Sequence, residues 1–177
     1  MMKNHFETER LVLRKITVAD EATLRPLLQH ELMDWFGGPL SGDQVTDWIA
    51  ENIRRYTEDG YSYLMVEDKK TSRLIGLMGL LNEEIEGEIY LGIAYLITPE
   101  EQGCGYAKEG LKVLLEAAFK SGAESVIAQI SKENYKSRGL IRSLGFSYSG
   151  EYKRRQKDKM TLYEIYQLGS GQWEEQA

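Results

Sequence analysis

The chain has 177 residues, one domain's worth, and at that size folding buries roughly 70% of the surface the unfolded chain exposes, so a core forms without covalent staples. A hydrophobic fraction of 42% and a charged fraction of 28% exclude a fibrous or low-complexity chain. The one cysteine, Cys104, excludes an intramolecular disulfide and a cysteine zinc site, and a net charge of -6 argues against nucleic acid as the main ligand.

The first residues lack the apolar run of a signal peptide. The longest apolar stretch, residues 89–97, is interrupted by Gly92 and is too short to span a bilayer. The expected setting is cytoplasmic, with no membrane and no nucleic-acid partner. Oligomeric state is open, a homodimer included.

Residues 9–16 alternate Leu11 and Leu13 with polar or branched neighbours and predict a strand. Thr17, with Asp20 three residues on, supplies a helix N-cap, and Leu24, Leu27 and Leu28 mark the helix's apolar face. Gly37, Gly38 and Pro39 predict a loop. Ser41 and Gln44 form a capping box for a second helix. Its face is Val45, Trp48, Ile49, Ile53 and Tyr56, and Gly60 closes it. Residues 61–67, 73–81 and 86–97 predict three strands, joined by polar turns at 68–72 and 82–84. Connections this short favour antiparallel pairing.

Thr98 and Pro99 break the third of these strands. From Gly105 to Ser121 the spacing of Leu111, Leu114, Leu115, Ala118 and Phe119 is helical, with Gly122 placed just past the end. Residues 125–131 predict a strand and residues 135–144 a short helix ended by Gly145. Residues 146–152 and 160–168 predict two final strands around a basic turn, residues 153–157. Residues 169–177, rich in Gly, Gln and Glu, are expected to be a disordered tail, which leaves 1–168 as a single domain. This order predicts an α/β fold: a central twisted mixed sheet flanked by helices. It is antiparallel first, and becomes parallel where the helix after Gly105 crosses to residue 125.

The turn Gln102-Gly103-Cys104-Gly105-Tyr106-Ala107 joins a strand to a helix. A helix N-terminus carries unpaired backbone N–H groups and partial positive charge, so anions dock there. Gly103 and Gly105 have no Cβ to block a phosphate, and Lys108 lies in the first turn. A tight turn with no ligand is the plainer reading of such a pattern alone. A dinucleotide fingerprint would need a third glycine at Lys108, and a P-loop would need a Gly-Lys-Ser/Thr step, so another nucleotide ligand is disfavoured.

Three blocks in order resemble the GNAT superfamily of N-acetyltransferases. Gln102 to Ala107 matches its Gln/Arg-x-x-Gly-x-Gly/Ala phosphate motif. Asn134-Tyr135-Lys136-Ser137 followed by Leu144-Gly145-Phe146 matches its Asn-x-x-Ser...Leu-Gly-Phe block. Thr8-Glu9-Arg10-Leu11-Val12-Leu13-Arg14 resembles the opening of the branch of ribosomal-protein N-terminal alanine acetyltransferases. The resemblance spans residues 8–168. It implies a sheet splayed between the strand ending near Ile97 and the strand starting near Ser125, with acetyl-CoA as co-substrate. The pantetheine arm would pair with backbone near Leu96, Ile97 and Thr98. The pyrophosphate would sit on Gly103, Cys104, Gly105, Tyr106 and Ala107, with Gln102 and Lys108 beside it. Asn134 would bond the arm and Ser137 would lie near the sulfur. No metal is implied.

Direct acetyl transfer needs a neutral amine, a donor to the thioester oxygen and a proton for the departing thiolate. The acceptor is a primary amine, at a protein N-terminus or on a small molecule. The resemblance implies a backbone N–H near Leu96 as oxygen donor. Many family members carry a tyrosine acid where this chain has Ile141. Ser137 is the substitute in the branch resembled, directly or through a water, and its plainer role is to stabilise the helix start. Tyr135 is a remoter candidate. Glu88, and less so Glu86, is the base candidate on its strand, although it sits with Glu83 and Glu84 in what reads as a solvated hairpin end. Glu88 shares one face of an ideal strand with Tyr90, Gly92, Ala94 and Leu96. Ordered water, or an α-amine of pKa near 8, could replace an enzyme base. Cys104 reads as a loop residue rather than a nucleophile, and His5 and His30 as surface residues. Trp35 and Phe36 either pack the core or line an acceptor site. The basic turn is either a solvated tip or a contact for an acidic group. The missing tyrosine also permits a non-catalytic CoA-binding module on the same fold.

Overall fold

A computed structural model of the chain describes residues 3–156 and 158–176. Among them, eight strands form one sheet: β1 (His5–Glu7), β2 (Leu11–Lys15), β3 (Tyr63–Asp68), β4 (Leu74–Ile85), β5 (Glu88–Ile97), β6 (Ser125–Ser131), β7 (Ser147–Gln156) and β8 (Lys159–Gly169). Their spatial order is β1-β2-β3-β4-β5-β6-β8-β7. The helices are α1 (Glu21–Leu28), α2 (Gly42–Glu58), α3 (Tyr106–Lys120), α4 (Tyr135–Ser143) and α5 (Ser170–Gln176). The mixed sheet is as expected: β5 and β6 are parallel, linked through α3, and the other neighbours are antiparallel. No helix among the described residues is long and apolar enough to cross a membrane.

Strand alternation sends neighbouring side chains to opposite faces, and both faces of the central strands are covered. On one side, Leu64, Val66, Met78, Leu80, Ile93 and Ile97 pack with Leu111, Leu114, Leu115 and Ala118 of α3. On the other, Met65, Leu77 and Leu96 pack with Leu24, Leu27 and Leu28 of α1 and Val45 and Ile49 of α2. Two-sided burial is why β4 reads as an almost unbroken apolar run. The Ser41–Gln44 capping box is present, and Thr17 and Asp20 form another around a short 3-10 turn, Val18–Asp20, that precedes α1.

Three expectations are corrected. Residues 82–84 are strand, not turn: Asn82, Glu83 and Glu84 pair with Leu91, Tyr90 and Ile89. The reversal is Glu86-Gly87, whose φ values of 51° and 86° suit the two-residue turn that matches strand twist. Residues 153–156 continue β7, paired with β8 as far as Gln156↔Lys159, while Lys157 lies outside the described residues. Charge in these two segments disguised strands with a solvated face. The expected disordered tail contains α5, because Trp173 packs on Phe119 with ring centroids 5.9 Å apart and Ser170 N–H donates to Glu124 O at 2.9 Å. A single half-buried aromatic anchors a segment whose composition is otherwise polar. The short edge strand β1 was not foreseen.

Arg14 ties β2 to β3 and to the start of α1. Its guanidinium donates to both oxygens of Asp20 at 2.9 and 2.8 Å and to both oxygens of Glu67 at 3.0 and 2.8 Å. Asp20 also accepts from Thr17 N–H at 2.8 Å. The hydrogen bonds from Arg14 are the first cause holding the Asp20 carboxyl below its ordinary value of 3.8, so the folded state favours the carboxylate. That contribution is present above the unfolded-state pKa and is lost as pH falls through the folded one. Asp20→Asn should cost about 2 kcal/mol at pH 7. In thermal melts the gap to the parent protein should narrow as pH falls below the ordinary 3.8, where the parent's own Asp20 begins to take up its proton.

Candidate active site

β5 and β6 meet at one register pair, Gly92↔Ile127. Beyond it the strands diverge, and a cavity of about 950 Å³ opens between residues 93–97 and 128–131. The opening separates the two expected strands, and because they are parallel it lies toward the Ser131 end of β6.

At the mouth of this gap β5 runs through a 3-10 turn, Pro99–Glu101, into the glycine loop. Gly103 and Gly105 take φ values of 77° and 81°, which a Cβ would strain, and α3 starts at Tyr106. The loop is braced from outside. Arg10 donates to Cys104 O at 2.9 Å and pairs with Glu109 of α3 at 2.6 Å, with its guanidinium 4.4 Å from the Tyr106 ring centre. Glu109 also accepts from Thr8 Oγ1 at 2.5 Å and Arg10 N–H at 2.9 Å. The Thr8–Arg10 stretch is therefore the buttress of the loop. Gln102 Nε2 donates to Ile97 O at 3.1 Å, closing the turn onto the strand end.

Strand parity places polar groups on both sides of the gap. On the α3 and α4 side, Tyr95 OH and Ser137 Oγ are hydrogen-bonded at 2.5 Å. Asn134 caps α4, its Oδ1 accepting from Ser137 N–H at 3.2 Å. Burial pushes the Tyr95 phenol up to about 12, so it remains a proton donor at neutral pH. Ile141, fully buried, belongs to the core here. On the α1 and α2 side lies Glu83. Its side chain crosses over Gly92, where a Cβ would stand 2.3 Å from Glu83 Cγ. Glu83 Oε2 accepts from Gln129 Nε2 at 3.0 Å, and Gln129 Oε1 accepts from Tyr152 OH. Burial raises the Glu83 pKa above its ordinary 4.5, with the charges of Arg154 and Arg55 acting against the shift. Trp35, Phe36, Trp48, Tyr63 and Tyr163 wall this side.

A family model described as an acetyltransferase (GNAT) domain matches residues 10–147. The chain belongs to the GNAT acetyltransferase family. It is thus an enzyme of the acyltransferase class. An uncharacterized Bacillus subtilis protein, YkkB, is 28% identical over 165 residues, 92% of this chain and 95% of its own. The solved ribosomal-protein-S5-alanine acetyltransferase from Vibrio fischeri is 20% identical, with a TM-score of 0.75 over 97% of this chain and 99% of that one. The spermidine N-acetyltransferase from Vibrio cholerae, solved with CoA and spermine, is 20% identical, with a TM-score of 0.76 over 94% and 99%. These two structures are similar to this GNAT chain in fold.

Of the residues singled out from the sequence, Leu96, Ile97, Gln102, Gly103, Gly105, Tyr106, Ala107, Lys108, Asn134 and Ser137 line the cavity. Cys104 is exposed and gives its carbonyl to Arg10. Thr98 is buried, and its backbone is already committed: its N–H donates to Ile75 O at 2.9 Å and its carbonyl accepts from Glu101 N–H at 3.0 Å. Its N–H is therefore not free to pair with a ligand. Glu88 stands at the tip of the β4–β5 hairpin, accepting from Tyr90 OH at 2.6 Å. It is eight residues from Leu96, about 26 Å of strand, and Glu86 is in the exposed turn beside it. Neither carboxylate reaches the cavity. His30 Nδ1 accepts from Leu32 N–H, and no group of metal-binding residues occurs among the described residues.

Glu83, Tyr95 and Gln129 are among the cavity's polar residues that the sequence does not single out, while Arg154 belongs to the basic turn weighed there as a contact for an acidic group. The available signal was Gly92, since a glycine within a strand marks a close approach. Because burial raises the Glu83 pKa, the folded state binds its proton more tightly than the unfolded state does. Stability is therefore lost as pH rises through that window. Glu83→Gln should raise the melting temperature on the order of 2 °C at pH 8, and less at pH 5. An unchanged or lowered melting temperature at pH 8 would contradict the assignment of Glu83 as a desolvated carboxylate.

Proposed function

We propose that this enzyme moves the acetyl group of acetyl-CoA to a primary amine by direct attack, with residues 1–168 as its catalytic domain. The observation that carries this reading is the separation of two proton-handling groups by β5. Glu83 stands on the α1 and α2 side of the gap, the Tyr95–Ser137 pair on the α3 and α4 side. A thioester held in the gap would meet an amine from the first side and lose its thiolate toward the second.

The loop from Gln102 to Ala107 suits a pyrophosphate. The first N–H groups of α3 have no helical partner, and Gly103 and Gly105 leave them unscreened. Lys108 adds charge. Tyr95 and Ile97, whose backbone groups alternate away from β4, offer backbone to the pantetheine arm, and a backbone N–H near Leu96 would donate to the thioester oxygen as it gains charge. Asn134 spends its carbonyl oxygen on the α4 cap, which leaves its amide –NH2 as donor to the arm. CoA bound to the Vibrio cholerae relative supports the same donor here.

In the transfer, Glu83 takes the proton from the incoming ammonium, and the neutral nitrogen forms its bond to the carbonyl carbon. Collapse breaks the carbon–sulfur bond. As it does, the nitrogen gives up its second proton to Glu83, which has passed the first to solvent, and Ser137 donates its proton to the thiolate and is reprotonated from solvent through Tyr95. Glu83 replaces Glu88 as the base because it is the carboxylate in the cavity, and its raised pKa makes it a better proton acceptor than an ordinary glutamate.

Acetyl-CoA should raise the melting temperature, and adding an amine should release free thiol. Glu83→Gln should lower kcat about 100-fold, while Glu88→Gln leaves it unchanged. The acidic limb of kcat/KM against pH should inflect above 4.5 and disappear in the Glu83 variant. Tyr95→Phe and Ser137→Ala should lower kcat with little effect on KM for acetyl-CoA. Binding of CoA with no thiol released by any amine would favour a non-catalytic CoA-binding module.

A further inference from the structure

The acceptor side of the cavity holds a second charge. Arg154 lies on β7 between Lys153 and Arg155, both exposed, and alternation turns it inward to line the cavity. Its guanidinium stacks over Tyr163, 4.3 Å from the ring centre. Stacking uses the face of the guanidinium and leaves its edge N–H groups free for hydrogen bonds. Among the described residues Arg154 forms no ion pair. Of the other carboxylates lining the cavity, Glu101 is taken by Arg73 at 2.5 Å, and Glu133, just before α4, forms no ion pair among the described residues.

Glu83 is the counter-ion Arg154 would be expected to have, yet the two are not in contact. Gln129 holds Glu83 instead, and Tyr152 holds Gln129. A half-buried guanidinium without a carboxylate partner is costly, and so is a half-buried carboxylate with one neutral donor. Two opposite charges kept apart in one cavity are complementary to a ligand that carries both signs at a matching separation.

We infer that the acceptor is a small amino-acid-type molecule, whose amine is received at Glu83 and whose carboxylate is bound by Arg154. A carboxylate matches the guanidinium fork with two parallel hydrogen bonds. The tilted pair Trp48 and Tyr63, with ring centroids 5.5 Å apart, offers an apolar wall for the remainder of the molecule. This inference rests on the acetyl-transfer reading above and narrows it. A protein N-terminus places a peptide bond, not a carboxylate, next to its amine, and a polyamine places a second cation where Arg154 stands.

The full chain is assayed for thiol release from acetyl-CoA with matched pairs: phenylalanine and phenylalaninamide, β-alanine and propylamine, 4-aminobutyrate and butylamine. At least one carboxylate acceptor should exceed its uncharged partner by about 10- to 100-fold in kcat/KM. Arg154→Gln should remove that preference by raising KM for the carboxylate acceptor while leaving the partner's turnover intact. Arg154→Lys should restore part of it. The shift in melting temperature with acetyl-CoA, kept in both variants, shows that they fold and bind the donor. Equal use of both members of each pair, or an equal loss on both in Arg154→Gln, overturns the inference. So does donor binding with no turnover of any pair, which leaves the CoA site standing. Absence of donor binding in the parent protein overturns the acetyl-transfer reading itself.

Discussion

The architecture depends on one parallel contact, Gly92↔Ile127. β5 is paired with β4 over its full length, yet β6 touches it at that single position. The remaining edges of β5 and β6 cannot satisfy each other's backbone groups, which are strong and obligatory hydrogen-bonding groups. They face a cavity, and a ligand with amides of its own is the natural complement. The same point in the sheet carries the glycine over which Glu83 crosses. The origin of the gap and the position of the carboxylate are thus one feature: a Cβ at residue 92 would close the path of the Glu83 side chain.

Charged residues divide by whether the fold has already matched them. Arg14 is saturated by Asp20 and Glu67, and Arg10 by Glu109 and the Cys104 carbonyl. These arginines hold elements together, the first at the base of α1 and the second at the phosphate-type loop. Arg154 and Glu83 have no ion-pair partner among the described residues, though both line the cavity. Burial without a partner destabilises, so such groups persist where they act on something outside the fold. The N-terminal Thr8–Arg10 stretch shows the opposite case: its polar side chains reach about 100 positions along the chain to fix the geometry of a loop they do not belong to.

Much of the fold was legible in the sequence. Apolar spacing located α2, α3 and β6 closely, because those elements bury one stripe or two whole faces and their side chains must repeat at 3.6 or 2 residues. The loop glycines were legible because a left-handed backbone and a strand-to-helix step leave few other residues possible. The errors share a cause. Residues 82–84 and 153–156 are strands with a polar or charged face, and alternation between charge and solvent resembles a turn when only composition is weighed. Trp173 anchors α5 against Phe119 across 54 positions, a contact that no local pattern announces.

The sequence by itself determined the order of elements, the glycine loop, the Asn134 cap and the residues that line the α3 and α4 side of the gap. Those features are local, and local sterics and hydrogen bonding leave a trace within a few residues. Only the tertiary structure decided which carboxylate faces the cavity. Glu83 and Glu88 occupy the same hairpin and look alike in composition, but strand register carries one across Gly92 toward β6 and leaves the other at a solvated tip. It also brought Tyr95 to Ser137 and Arg154 to the side of Tyr163. Each of these pairings joins strands or helices far apart in the chain, and register, not residue type, sets which side chains meet.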